Sequence, residues 1–398
     1  MLTTPGGGCA DALCEDCLAS ILVRLPSASD VLRCRAVCRS WRRVATNLLF
    51  LANHAAHRPI QIITISDSRE VSATPLSVVD HPRPRRLLFH RTQYGPSVSR
   101  SSAVLFSLDG LLVLTQRPGI YVICNPATRQ WTRLPVLGPD ETRPRRFDAA
   151  ACGFYWHASS GEHRLLCQVR RNWAHDYNIL SAGGGGARRH GRRAPRPANT
   201  SRTIRYGAPV SCRGVLHWLD HPEAEYTGMM LAFDTASEAF RLMPLPPEQL
   251  AGNNTARTLV ELDGELAMAV MQHGVSSMAV WDLRDYGEAA EVWTLRYRVE
   301  VPMSSLHFGD ITDITGASRL FLPVGDGTAT ILIGQGCDSG NTYGYATRLY
   351  DLKEKRMHGE IVFLRYSRTF LMFTESLVPQ AFFLGPPSPR VAHIKFSN

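Results

Sequence analysis

The spacing of apolar residues changes once along the chain. Leu18, Ile21, Leu22 and Leu25 recur at i, i+3, i+4 and i+7, the signature of one helix face. Glu15 and Asp16 fall in the first turn of that helix, where carboxylates suit the positive end of the dipole, and Pro26 ends it. Ser27 or Ser29 can cap a second short helix running through Val31, Leu32 and Ala36. Val37, Trp41, Val44 and Leu48, spaced four, three and four, form the stripe of a third helix. The stretch from Phe50 to His57 closes that helix, and Pro59 marks the exit. Three helices over about 45 residues bury little surface by themselves, and they carry more apolar residues than so small a core needs. From the residues alone, two covers are equally open: a partner protein, or the rest of the same chain.

Beyond Pro59 the pattern becomes short β-rich runs divided by turn residues. Ile60–Ile65 is a strand, and from residue 100 a unit recurs. Asp109-Gly110 feeds the strand Leu111–Leu114; Ile120–Cys124 is the next strand; Asn125-Pro-Ala-Thr-Arg129 turns the chain into Gln130–Pro135. The same grammar returns from Cys212, from Leu262 and from Gly325, with turn glycines at 110, 214, 264 and 327, which are 104, 50 and 63 apart. A weaker unit around Gly153, Gly161 and Arg164–Val169 fills the first gap, so the period is near 50. That is the length of kelch-type propeller blades, and the remaining chain holds about six or seven of them. A large β-sandwich, or two smaller ones, is the competing architecture.

The fold class expected is therefore α+β and multi-domain: a disordered N-terminus over 1–10, a three-helix module over 11–58, and an all-β, propeller-like domain over 59–398. Residues 181–202 hold four consecutive glycines followed by Arg, His and Pro, and read as a mobile, basic, low-complexity loop between strands.

The helical segment resembles an F-box. Its family pattern has a Leu-Pro opening, an Ile-Leu-x-Arg-Leu-Pro core and an Arg-x-Val-Cys-x-x-Trp block. Here Leu13-Cys14, Ile21-Leu-Val-Arg-Leu-Pro26 and Arg35-Ala-Val-Cys-Arg-Ser-Trp41 stand in that order, with Cys14 where the family has Pro. The stretch Gly110–Leu114, then Val122-Ile-Cys-Asn-Pro-Ala-Thr-Arg-Gln-Trp131 and Leu134-Pro135, is similar to the F-box-associated, kelch-like domain of plant F-box proteins. The resemblance implies a substrate-recognition subunit of a Skp1–cullin–F-box (SCF) ubiquitin ligase. It implies a Skp1-like adaptor bound by the F-box, cullin reached through that adaptor, and a target protein of unknown identity held by the β domain. The adaptor-binding residues it implies are Leu13, Leu18, Ile21, Leu25, Pro26, Val37 and Cys38, with Trp41 kept for the internal core. Arg33, Arg35, Arg39, Arg42 and Arg43 make the segment basic, which suits an acidic partner. Asn125 and Trp131 are read as turn and packing residues.

Composition changes this picture little. Apolar residues are 44% and charged residues 20% of the 398, an ordinary globular balance. The net charge of +9 is concentrated: six arginines and no acid lie between Arg188 and Arg202. A nucleic-acid-binding role therefore ranks behind a protein target, and a β-propeller enzyme with a helical cap is the other alternative. The N-terminus lacks a basic leader region, and no run reaches the ~18 apolar residues of a membrane span. An intracellular protein of the cytoplasm or nucleus is expected, in which the sequons at Asn199 and Asn253 carry no sugar. Cys14-x-x-Cys17 has zinc-ligand spacing, but no second knuckle completes it. Gly334-Gln-Gly336 lacks the βαβ setting of a dinucleotide loop, and no Walker or nucleophile-elbow motif occurs. No cofactor, metal or catalytic residue is assigned.

Overall fold

The structure is a computed structural model. It describes residues 13–65, 70–76, 85–90, 104–117, 119–137, 148–171, 174–183, 187–194, 208–219, 228–247, 255–272, 277–287, 291–300, 319–323, 330–338, 343–363, 371–384 and 394–396. The segment 1–10, both sequons and Cys9 lie outside these residues.

Four short helices come first: α1 (Glu15–Leu22), α2 (Ala28–Cys34), α3 (Arg39–Thr46) and α4 (Leu48–Ala56). The expected third helix is thus two. Asn47 breaks it: its backbone is extended (φ −66°, ψ 129°), and its side chain accepts from the N–H groups of Leu49 and Phe50, capping α4. Ser27 caps α2 in the same way through the N–H of Asp30.

Among the described residues, twenty-five strands follow, in six antiparallel sheets. β1 (Gln61–Ile65), β2 (Glu70–Pro75) and β3 (Arg85–His90) belong to a sheet completed by the last two strands of the chain, β24 (Leu371–Phe373) and β25 (Ile394–Phe396). The four-stranded sheets between them are, first, β4 (Val104–Leu108), β5 (Leu111–Arg117), β6 (Ile120–Asn125) and β7 (Gln130–Arg133). Next come β8 (Asp148–His157), β9 (Glu162–Arg171), β10 (Ala174–Ser181) and β11 (Ala187–Ala194). The third holds β12 (Val210–Cys212), β13 (Val215–Trp218), β14 (Met229–Asp234) and β15 (Ala239–Pro244). The last two are β16 (Thr255–Leu262), β17 (Glu265–Gln272), β18 (Ser277–Arg284) and β19 (Val292–Glu300), then β20 (Arg319–Pro323), β21 (Thr330–Asp338), β22 (Tyr343–Asp351) and β23 (Arg356–Phe363). Part of the expected basic loop is therefore strand: β11 pairs with β10 along 187–194. Its arginines obscured a β pattern that backbone pairing alone can supply.

The first strands of the sheets are innermost, β24 beside β4, β4 beside β8, β12 beside β16 and β16 beside β20. This is a six-bladed propeller. A single antiparallel sheet cannot bury both of its faces, and five hydrophobic clusters lie between neighbouring sheets. Two tryptophans join blades by their polar edges as well. Trp218 Nε1 donates to the Cys152 carbonyl at 3.1 Å, and Trp293 Nε1 to that of Pro244 at 2.8 Å.

Two turn types recur. Asp109-Gly110, Arg213-Gly214 and Asp263-Gly264 all have positive φ at both positions, as tight hairpin turns following the strand twist require. At Gly110 a Cβ would also stand 2.7 Å from the backbone nitrogen of Ser376. In the third-to-fourth-strand turns, Asn125, Asp234 and Asp351 each accept from the N–H groups two and three residues on, and Arg129, Glu238 and Lys355 close the turns with positive φ.

Candidate docking face

The helices pack as one unit around Leu18, Leu22, Ala28, Val31, Cys34, Val44, Ala45, Phe50 and Leu51, with Trp41 along the edge. The propeller supplies Leu377 to this core, and Val378 and Ala127 pack against it. The segment 374–380 is thus a strap between the two parts. Glu375, almost fully buried, accepts from the Ala28 N–H at 2.9 Å, which places a carboxylate on the N-terminus of α2. Its other oxygen pairs with Arg85 at the start of β3. Asn125 Nδ2 donates to the Ser376 carbonyl at 2.9 Å. No local pattern could have revealed Glu375 or Leu377, because their partners lie hundreds of residues away in sequence.

The other side of the helical unit is uncovered. Among the described residues, eleven large apolar side chains are exposed, and five belong to the helical segment and its turns: Leu13 (44%), Ile21 (49%), Val37 (57%), Leu48 and Leu49. Single exposed apolar residues are ordinary, but such concentration on one small unit is an unpartnered face. Pro26 is exposed beside them, while Leu25 and Cys38 are half-buried.

Leu18 is a correction. It stood among the expected docking residues, yet it is 1% exposed and sits in the helical core with Leu22. The Leu18, Ile21, Leu22 and Leu25 stripe is wide enough to serve two neighbours: Leu18 and Leu22 turn inward, and Ile21 turns outward. Leu48 and Leu49, which the sequence reading placed in a continuous helix, are exposed because Asn47 restarts the helix there.

The arginines around this face are not all free charge. Arg33 pairs with Asp30 at 3.0 Å, and Arg43 with Glu15. Arg35 Nε donates to the Ala45 carbonyl and Arg42 Nε to that of Arg35, so both tie α2 and α3 together. Among the described residues, Arg39 is exposed and has no ion-pair partner.

Polar clusters on the propeller are built for joining blades. Arg164 bridges Glu162 and Glu238, each at 2.6 Å, and Tyr155 donates to Glu238 at 2.7 Å. His157 Nδ1 lies 2.7 Å from Ser160 Oγ, which donates to Glu162 at 3.1 Å. A serine between histidine and carboxylate is the wrong order for an activated nucleophile, where the histidine must stand in the middle.

The fold and the exposed apolar residues together define a class: a small helical unit strapped to one end of a six-bladed propeller. Comparison with known proteins agrees. Residues 62–314 match the family model of the F-box associated beta propeller domain, and residues 12–53 match an F-box-like model. The chain belongs to the F-box proteins that carry this propeller. It is 24% identical over 315 residues to F-box protein At5g49610 of Arabidopsis thaliana, covering 71% of this chain and 77% of that protein. It is 23% identical over 329 residues to F-box protein CPR1 of the same plant, covering 74% of each. Among solved structures, an oligogalacturonate lyase in complex with manganese aligns with a TM-score of 0.43 at 8% identity, covering 76% of this chain and 78% of that one.

Proposed function

We propose that this chain is the substrate-recognition subunit of an SCF ubiquitin ligase, with a Skp1-like adaptor on the helical face and a target protein on the propeller. The observation carrying this reading is the uncovered apolar face of Leu13, Ile21, Val37, Leu48 and Leu49 on a unit whose other side is already closed by the strap. Its rim of arginines favours an acidic adaptor and speeds encounter. The subunit does no chemistry of its own. It raises the concentration of target lysines near a conjugating enzyme held by the assembled ligase. Such a complex works in the cytoplasm or nucleus.

The propeller has two unlike ends, which supports a division of labour. The tight turns at Gly110 and Ala127 meet the strap and the helices. Antiparallel order then puts the strand ends that lead toward the next blade, among them Arg133, Pro244 and Glu300, at the opposite end, away from the adaptor. Long connections vary freely, and recognition is carried there. At that end a cleft of about 150 Å³ opens between the third and fourth four-stranded blades, lined by Val210, Trp218, Leu219 and Arg257.

The test is capture of purified Skp1 by the full chain. Ile21→Asp and Val37→Asp each weaken binding by roughly 30-fold or more, as for a central interface residue losing about 2 kcal/mol, while thermal unfolding stays unchanged. Leu18→Ala instead lowers stability by about 2–5 kcal/mol, because it empties a core position. Binding of wild-type strength in both aspartate variants would end the adaptor reading.

A further inference from the structure

Eight cysteines whose side chains are described are free of disulfides, and six of them are enclosed or half-enclosed. Burial pushes the thiols of Cys34, Cys124, Cys167 and Cys212 up, Cys124 beyond the range in which a thiolate forms at neutral pH. Cys14 and Cys17 differ in every respect: they are exposed, and they touch each other.

The contact follows from the position of the pair on α1. Cys14 is the N-cap residue and Cys17 lies in the first turn, so their side chains converge over the helix start. Cys14 Sγ accepts from the Cys17 backbone N–H at 3.2 Å, and the two sulfurs lie 2.7 Å apart, in hydrogen-bond contact. The Cys17 side chain and its backbone N–H hold the pKa of Cys14 below the usual thiol value. The adjacent Cys14 sulfur raises the pKa of Cys17. One sulfur is thus prepared as a nucleophile and the other as its resolving thiol. Asp16 opposes both thiolates without reversing this asymmetry. The spacing Cys14, Cys17, Ile21 keeps to one helix stripe, and Leu13 adjoins it, so the sulfurs lie within the uncovered apolar face.

We propose that Cys14 and Cys17 form a reversible dithiol–disulfide site on the docking face, with hydrogen peroxide as oxidant. The Cys14 thiolate attacks one peroxide oxygen and the O–O bond breaks. The departing hydroxide takes up a proton to become water, and Cys14 is left as sulfenic acid. Cys17 sulfur then attacks Cys14 sulfur; the S–S bond forms, and the hydroxyl leaves with the Cys17 proton as a second water. Two thiols and one peroxide give one disulfide and two waters, and a dithiol reductant reverses the change. The bridge closes within one turn, so it constrains no second element and leaves the fold intact. Its consequence rests on the adaptor reading: an adaptor seated on Leu13 and Ile21 covers both sulfurs, so docking and oxidation compete.

The experiment treats the full-length protein with one equivalent of hydrogen peroxide, alkylates the remaining thiols and maps them by peptide mass spectrometry. The expected product is a single Cys14–Cys17 peptide two hydrogens lighter and resistant to alkylation, restored by dithiothreitol, with unchanged far-ultraviolet circular dichroism. Cys17→Ser stops at a Cys14 sulfenic acid trapped by dimedone; Cys14→Ser slows oxidation of Cys17 about tenfold. Alkylatable thiols at both positions, or oxidation that falls first on other cysteines, would overturn the site. In a second arm, bound Skp1 slows disulfide formation. Equal rates with and without Skp1, beside intact oxidation of the free chain, would remove the competition and count against docking on this face.

Discussion

Single residues set two properties of the helical unit. His54 is fully buried in α4, and neither ring nitrogen finds a hydrogen-bond partner among the described residues. Burial and the nearby Arg58 guanidinium lower its pKa to about 4. The unfolded chain, near 6.5, therefore binds a proton that the folded chain rejects between those values. Stability from this group is fully present above pH 6.5 and is lost as pH falls toward 4, with a slope of up to about 1.4 kcal/mol per pH unit. His217, between β12 and the Tyr286 hydroxyl, is lowered to about 4 as well and adds to the slope. Urea midpoints measured from pH 4.5 to 7 should fall toward acid, and His54→Leu should flatten the curve by about one proton. An unchanged slope would mean that His54 is charged in the folded state. Asn125 shows how much of a residue's work is visible in sequence. Its Asx turn is local chemistry and was legible. The bond from its amide to Ser376 spans most of the propeller and was not.

At the scale of elements, legibility follows the range of the interactions. The first two helices, their Ser27 cap and most of the β repeats were readable because period, cap and turn all act within a few residues. The break at Asn47 was missed because the apolar stripe runs through it in phase; only a capping side chain divides α3 from α4. β11 was missed because glycine and arginine mask a strand whose pairing comes from β10. Leu18 was assigned to the wrong neighbour because a helix stripe states that a face is apolar, and never what covers it. The turns make a test at this scale. Asp234→Ala removes the acceptor for two backbone N–H groups and for the Ser237 hydroxyl. It should cost about 1–2 kcal/mol by denaturant unfolding, with β14 and β15 still paired. Asn125→Ala should cost more, since its loss also frees the strap carbonyl. Equal losses would show that the Ser376 bond contributes nothing.

For the whole molecule, the strap decides whether there are two domains or one body. Leu377 in the helical core, Glu375 between Ala28 and Arg85, and Ser376 against Gly110 bind the helices to the tight-turn end of the propeller. Glu375→Ala takes the buried acceptor from the α2 N-terminus and leaves Arg85 unpaired with it, a loss of about 2 kcal/mol. Calorimetry should then resolve the helices melting ahead of the propeller, and hydrogen exchange should rise in α2. A single unshifted transition would show that the strap does not couple them. On the proposed function, rigid coupling would hold a target at the far end at a fixed distance from the helical unit and so limit which of its lysines fall within reach.

The closing sheet sets an order of events during synthesis. β1, β2 and β3 come early in the chain, but they are flanked by β24 and β25, which follow every other described blade in sequence. Until those strands arrive the ring stays open, and the helices lack Leu377 and Glu375. The helical unit therefore reaches its final packing only when the early and late strands meet, which couples its folding to closure of that sheet.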